Sequence, residues 1–90
     1  MLHLIAYDIA SDRRLRRVAS LCEDYGTRIE KSVFECDLDD QTFATFWKRL
    51  TSLMDPACDA VVDYPINRVD RMRIRSFGRC LRPQEGPAVF

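Results

Sequence analysis

Apolar positions along the chain fall into runs of two different periods. Leu2 to Tyr7 is a short run with apolar residues on both phases, which predicts a central strand covered on each side. Ser11 or Asp12 can cap a following helix, and Leu15, Val18, Ala19, Cys22 and Tyr25 recur at helical spacing. Gly26 supplies a C-terminal stop, so a first helix is predicted from about Asp12 to Tyr25. Thr27 to Leu38, TRIEKSVFECDL, is rich in β-branched and aromatic residues and reads as extended. Its alternation breaks, because Ile29 and Val33 share one phase while Phe34, Cys36 and Leu38 share the other. A bulge near Glu30 and Lys31, or cover on both faces, accounts for the break.

Asp39 and Asp40 cap a second predicted helix. Its wide stripe of Phe43, Phe46, Trp47, Leu50, Leu53 and Met54 is the strongest periodic signal in the chain, and Asp55-Pro56 ends it. Asp59 to Tyr64, DAVVDY, predicts a third strand closed by Pro65. Met72 to Phe77, MRIRSF, alternates apolar with basic and predicts a fourth. The tail RCLRPQEGPAVF is either a loose end or an arm that docks elsewhere. The expected order is β-α-β-β-α-β, an α+β, ferredoxin-like fold with both helices on one face of a four-stranded antiparallel sheet. Residues 1–78 form the expected domain and 79–90 the C-terminal arm. Such a fold hosts many functions and decides none.

Composition narrows the class. Ninety residues make one small domain, and 47% hydrophobic with 31% charged residues is a foldable mixture. A domain this small and apolar often hides surface in an oligomer. The formal net charge of +0 conceals an acidic excess in residues 1–45 and a basic excess in residues 46–90, which leaves room for local basic patches. Four cysteines, Cys22, Cys36, Cys58 and Cys80, form no CxxC pair, and the single His3 lies inside an apolar strand, so no zinc site is expected. No signal peptide and no run of about 20 apolar residues is present, which leads us to expect a cytoplasmic chain with reduced, mostly buried thiols and no membrane contact.

Two groups of residues carry candidate chemistry. Asp8 ends the first strand, where a carboxylate on a rigid element suits a hard divalent cation such as Mg²⁺. One carboxylate is a poor site, but a twofold axis would make it two. The competing reading is that Asp8 starts the turn DIASD, and spacing alone favours that turn. Arg13, Arg14, Arg16 and Arg17 crowd the start of the first helix, where the macrodipole favours acids. Either they form a solvated face or they meet phosphate, which arginine pairs bidentately. Arg73 and Arg75 would add a basic stripe on one face of the fourth strand. Few aromatics interleave with these arginines, and SVFEC lacks the Gly and Lys of an RNA-recognition signature, so duplex backbone contact is favoured over base stacking.

YDI at Tyr7–Ile9, the arginine-rich helix, YGTRIEKSVFEC at Tyr25–Cys36 and DAVVDYPI at Asp59–Ile66 together resemble the CRISPR-associated protein 2 family, over about residues 1–78. The resemblance implies a ferredoxin-like homodimer with the two YD aspartates facing across its axis. It implies Mg²⁺-dependent phosphodiester hydrolysis, of single-stranded RNA or of double-stranded DNA, in the spacer-acquisition machinery. It further implies a bridging role between copies of the CRISPR integrase along duplex DNA, which does not need the chemistry. By the same resemblance Asp8 is the metal-binding residue, Tyr7, Arg28 and Phe34 lie near the active site, and Arg14, Arg16 and Arg17 fall in a helix used near nucleic acid. Together with Arg13, Arg28, Lys31, Arg73 and Arg75 they are the candidate nucleic-acid contacts. Some members carry a cysteine pair after the third strand where this chain reads INRVDR, so no metal or disulfide role carries over there. A toxin-like endoribonuclease of similar fold acting alone is a third and weaker reading.

Overall fold

Strand β1, Leu2–Asp8, organises the molecule, because it lies inside the sheet and pairs with β4 along its full length and with β3 from Leu2 to Ala6. The computed structural model describes residues 1–79 and orders the elements β1, α1 (Asp12–Tyr25), β2 (Thr27–Glu30), β3 (Val33–Asp37), α2 (Asp40–Ser52), β4 (Ala60–Ile66) and a one-turn helix α3 (Arg68–Arg71). The sheet order is β2-β3-β1-β4, with each neighbouring pair antiparallel. The expected β-α-β-β-α-β order and ferredoxin-like arrangement are therefore present, although the segments read as strands in the sequence run β-α-β-α-β-β; the order is reached because Thr27–Leu38 holds two strands and Met72–Phe77 none.

The extended stretch from Thr27 to Leu38 is a hairpin, β2 and β3, and not one strand. Its register shifts between Arg28 and Glu30, which is the bulge that the broken alternation required. After the turn, Phe34 stands opposite Ile5 and Cys36 opposite His3, so both face the helices. The predicted fourth strand at Met72–Phe77 is absent. Asn67 caps α3 by accepting from the Asp70 amide, and the amides of Met72, Arg73 and Ile74 bond back to Val69, Asp70 and Arg71 as successive turns. The place beside β1 is taken by β4, which runs on through Pro65 to Ile66 and is an edge strand, where a missing N–H is tolerated. With no strand to join, Met72 and Phe77 are fully open to solvent, and Arg73 and Arg75 do not share a strand face.

The helices are capped as their sequences ask. The Ser11 hydroxyl accepts from the Arg14 amide and the Asp39 carboxylate from the Thr42 amide. Gly26 ends α1 for a reason other than a left-handed turn, since its φ of −159° is ordinary extended backbone. A Cβ here would collide with the Glu35 carbonyl oxygen and sit 2.6 Å from the Cys36 sulfur, so glycine is required by the close approach of β3.

The core lies between one sheet face and the two long helices. Ile5, Val18, Cys22, Phe34, Cys36, Phe46 and Leu50 are fully buried there. Burial pushes the Cys22 thiol up to about 12 and the Cys36 thiol up to about 11, so both remain protonated and unreactive at neutral pH. His3 is also in this layer, stacked on Phe43 at 3.8 Å with its Nδ1 2.9 Å from Asp63. On the opposite face neither long helix covers the sheet, though Leu2 and Glu35 are buried there and Arg71 of α3 reaches Asp37 at the end of β3. Among the described residues no helix is long and apolar enough to cross a membrane. Residues 80–90, with Cys80 and nearly all of the expected C-terminal arm, lie outside the described residues.

Candidate active site and nucleic-acid surface

Strand alternation sorts the candidate residues onto two faces. His3, Ile5 and Tyr7 point toward the helices, so Leu2, Leu4, Ala6 and Asp8 point the other way. Across the ladder these four stand opposite Ile66, Tyr64, Val62 and Ala60 of β4. The result is a double row on the uncovered face in which Asp8 is the one charged member and marks the end. Asp8 is exposed, and its side chain makes no hydrogen bond or ion pair among the described residues. Among the described residues no three His, Cys, Asp or Glu side chains cluster to hold a metal.

Tyr7, Arg28 and Phe34 gather on the helix side. The Phe34 ring is fully buried, with the Tyr7 ring 6.2 Å away and the Arg28 guanidinium 5.1 Å above it. Arg28 also donates to Glu23 at 3.0 Å, and of the three only Arg28 reaches solvent. The Tyr7 hydroxyl lies 3.5 Å from the Lys31 carbonyl, and burial first of all raises its pKa, so it stays a neutral phenol. Phe34 thus offers a platform under Arg28 and presents no surface of its own. The structure brings these three together and leaves Asp8 on the opposite face.

The four arginines of α1 also divide. Arg13, Arg16 and Arg17 are exposed at i, i+3 and i+4 on the face opposite Val18, Leu21 and Cys22, and none has a partner among the described residues. Arg14 turns toward the sheet and is held by Asp59, Nε to Oδ2 at 2.7 Å and Nη2 to Oδ1 at 3.1 Å. That fork, with backbone amides of Asp55 and Ala10 also donating, holds the Asp59 carboxyl well below the usual carboxylate range. Lys31 is exposed in the hairpin turn, and Arg73 and Arg75 are exposed past α3. Asp59 and the His3–Asp63 pair carry no sign in the sequence. Their partners are 45 and 60 residues away, beyond the reach of any local pattern.

Comparison with known proteins agrees with this arrangement. The chain matches the family model described as CRISPR associated protein Cas2 over residues 1–74. It is 38% identical to the CRISPR-associated endoribonuclease Cas2 of Nitratidesulfovibrio vulgaris, covering 100% of this chain and 94% of that protein. It is 35% identical to the CRISPR-associated endonuclease Cas2 of Halalkalibacterium halodurans, covering 100% of each. Its fold superimposes on the crystal structure of Streptococcus pyogenes Cas2 at pH 6.5 with a TM-score of 0.75 and 35% identity, covering 87% of this chain and 100% of that one. With an aspartate closing its first strand and VFEC in its third, this protein belongs to the CRISPR associated protein Cas2 family.

Proposed function

We infer that this protein is a divalent-cation-dependent endonuclease of CRISPR spacer acquisition, working as a homodimer in which the Asp8 carboxylates of two protomers meet. The names of its relatives, endoribonuclease and endonuclease, support the activity. The observation that carries the site is the position of Asp8, unpaired and exposed at the end of an otherwise apolar double row. Val62 and Tyr64 in that row are 41% and 53% exposed, a surface suited to a second copy of the same chain.

The donor set fits Mg²⁺. This cation keeps several waters and is held by one or two carboxylates together with substrate phosphate. When bound, it would polarise the scissile phosphate and acidify water beside it. The chain's own residues do the rest. Arg13, Arg16 and Arg17 hold phosphates of the bound strand, while Arg28, paired with Glu23 over Phe34 on the other face of the sheet from Asp8, serves as a backbone contact away from the reacting phosphate. His3 is buried on the far side of the sheet beside Asp63, so the carboxylate oxygens of Asp8 are the proton acceptor at this end. Replacing Asp8 by alanine should abolish Mg²⁺-dependent cleavage of RNA and DNA while sedimentation still reports a dimer. Unchanged cleavage by the pure variant rejects the reading.

A second reading is favoured by the unpaired arginine face of α1. On it the dimer is a non-catalytic bridge that lies along duplex DNA and binds the CRISPR integrase. Spacer integration that survives Asp8→Ala but fails when Arg13, Arg16 and Arg17 are replaced supports the bridge over the nuclease.

A further inference from the structure

The Asp59 side chain is completely shielded from solvent and accepts four hydrogen bonds from three segments of chain. Two come from the Arg14 fork on α1. One comes from the Ala10 amide in the β1–α1 loop at 2.9 Å, and one from the Asp55 amide in the α2–β4 turn at 2.9 Å. The turn is closed on itself as well, since the Asp55 carbonyl accepts from the amides of Cys58 and Asp59 at 3.1 and 2.8 Å. The backbone on two sides of Asp8 is tied to this knot. Ala60, which faces Asp8 across the ladder, directly follows Asp59, and Ala10 lies two residues beyond Asp8.

We propose that Asp59, gripped by Arg14, is a positioning residue that fixes the Asp8 carboxylate at the end of β1. The proposal rests on Asp8 being the working carboxylate. Asp59 itself touches no substrate. A buried carboxylate that satisfies a guanidinium fork and two amides has one orientation available, and the backbone that it holds inherits that orientation. A reacting group displaced by about 1 Å loses on the order of a hundredfold in rate, so a support of this kind sets the turnover of the site. The same geometry takes Arg14 out of the phosphate-binding set, and leaves that task to Arg13, Arg16 and Arg17.

The test uses Asp59→Asn, Arg14→Gln and their combination in the full chain, alongside Asp8→Ala. Cleavage of RNA and of duplex DNA with Mg²⁺ is measured well below each variant's melting temperature, and amide hydrogen exchange is read at Ile9 and Ala10. Either single substitution should lower kcat by about 10- to 100-fold with KM within about twofold. The double variant should be no worse than the poorer single. Exchange at Ile9 and Ala10 should rise by about tenfold while Phe34 and Cys36 stay protected. If Asp59→Asn does not fold, Arg14→Gln, which leaves the two amide bonds in place, carries the same comparison. Asp59→Asn cleaving like the wild type while Asp8→Ala does not overturns the proposal alone, as does unchanged exchange at Ile9 and Ala10. Asp8→Ala cleaving like the wild type, or a wild type that does not cleave, overturns the reading beneath it.

Discussion

Tyr7 and Asp8 are neighbours in the chain and opposites in the fold: Tyr7 is buried against Phe34 on the helix side of the sheet, and Asp8 is exposed on the uncovered side. The two-residue repeat of a strand imposes this. A motif read as one unit therefore does two jobs, packing on one face and chemistry on the other.

Phe34 tests the division. Phe34→Ala should destabilise the domain by about 3–5 kcal/mol, the usual cost of emptying a fully buried aromatic site. Urea unfolding gives the number. Phe34→Leu should recover most of the stability and most of the cleavage, because a platform needs volume and not an aromatic contact to substrate.

Gly26 should be intolerant of even one methyl group. Gly26→Ala places a carbon against the Glu35 carbonyl and the Cys36 sulfur, so β3 or α1 must shift. A loss of about 1–3 kcal/mol is expected in thermal or urea melts, as for other overpacked positions. A value near zero would mean that the hairpin moves freely on α1.

The arginines of α1 should separate by salt dependence. Replacing Arg13, Arg16 and Arg17 together by glutamine should weaken duplex binding and flatten the slope of log affinity against log salt by about two to three. Arg14→Gln should leave that slope unchanged, since its guanidinium is engaged by Asp59. Filter binding or fluorescence anisotropy across a salt series checks both.

Stability should fall in acid with a defined sign. Asp59 is held low by Arg14 and two amides, Asp37 by Arg71, and Asp39 by the Thr42 amide. An unfolded aspartate titrates near about 3.9, so the folded chain binds fewer protons below neutrality. The stabilisation is complete above that value and is lost as pH falls through it toward the lower folded values. The urea midpoint should hold level from about pH 7 to about pH 5 and then decline. Asp59→Asn should start lower at neutral pH and decline less.

The parts of the fold that could be read from residues alone are those set by local periodicity and capping. The α1 and α2 stripes, their Ser11 and Asp39 caps and the β1 run are all where the pattern put them. The hairpin was half legible. The phase break at Glu30 and Lys31 marked the bulge, but not that the chain reverses there. MRIRSF misled because alternation reports only that a segment can pair, whereas here the chain turns through α3 after β4 and the amides of Met72, Arg73 and Ile74 bond back into that turn. In the candidate site, Asp8 could be named but its face could not, and Arg14 could not be told from Arg13, Arg16 and Arg17. Only the fold brings Asp59, 45 residues away, to meet it.

The two edges of the sheet are unlike, and this limits how copies of the chain can grow into larger objects. β2 is four residues long, bulged, and flanked by Arg28, Glu30 and Lys31, devices that discourage a further strand. β4 is seven residues long and mostly apolar. A protomer therefore has one side receptive to strand addition and one side that refuses it. Joining two receptive sides exhausts them and leaves only refusing edges outward, so edge pairing ends at a pair instead of propagating as a fibre.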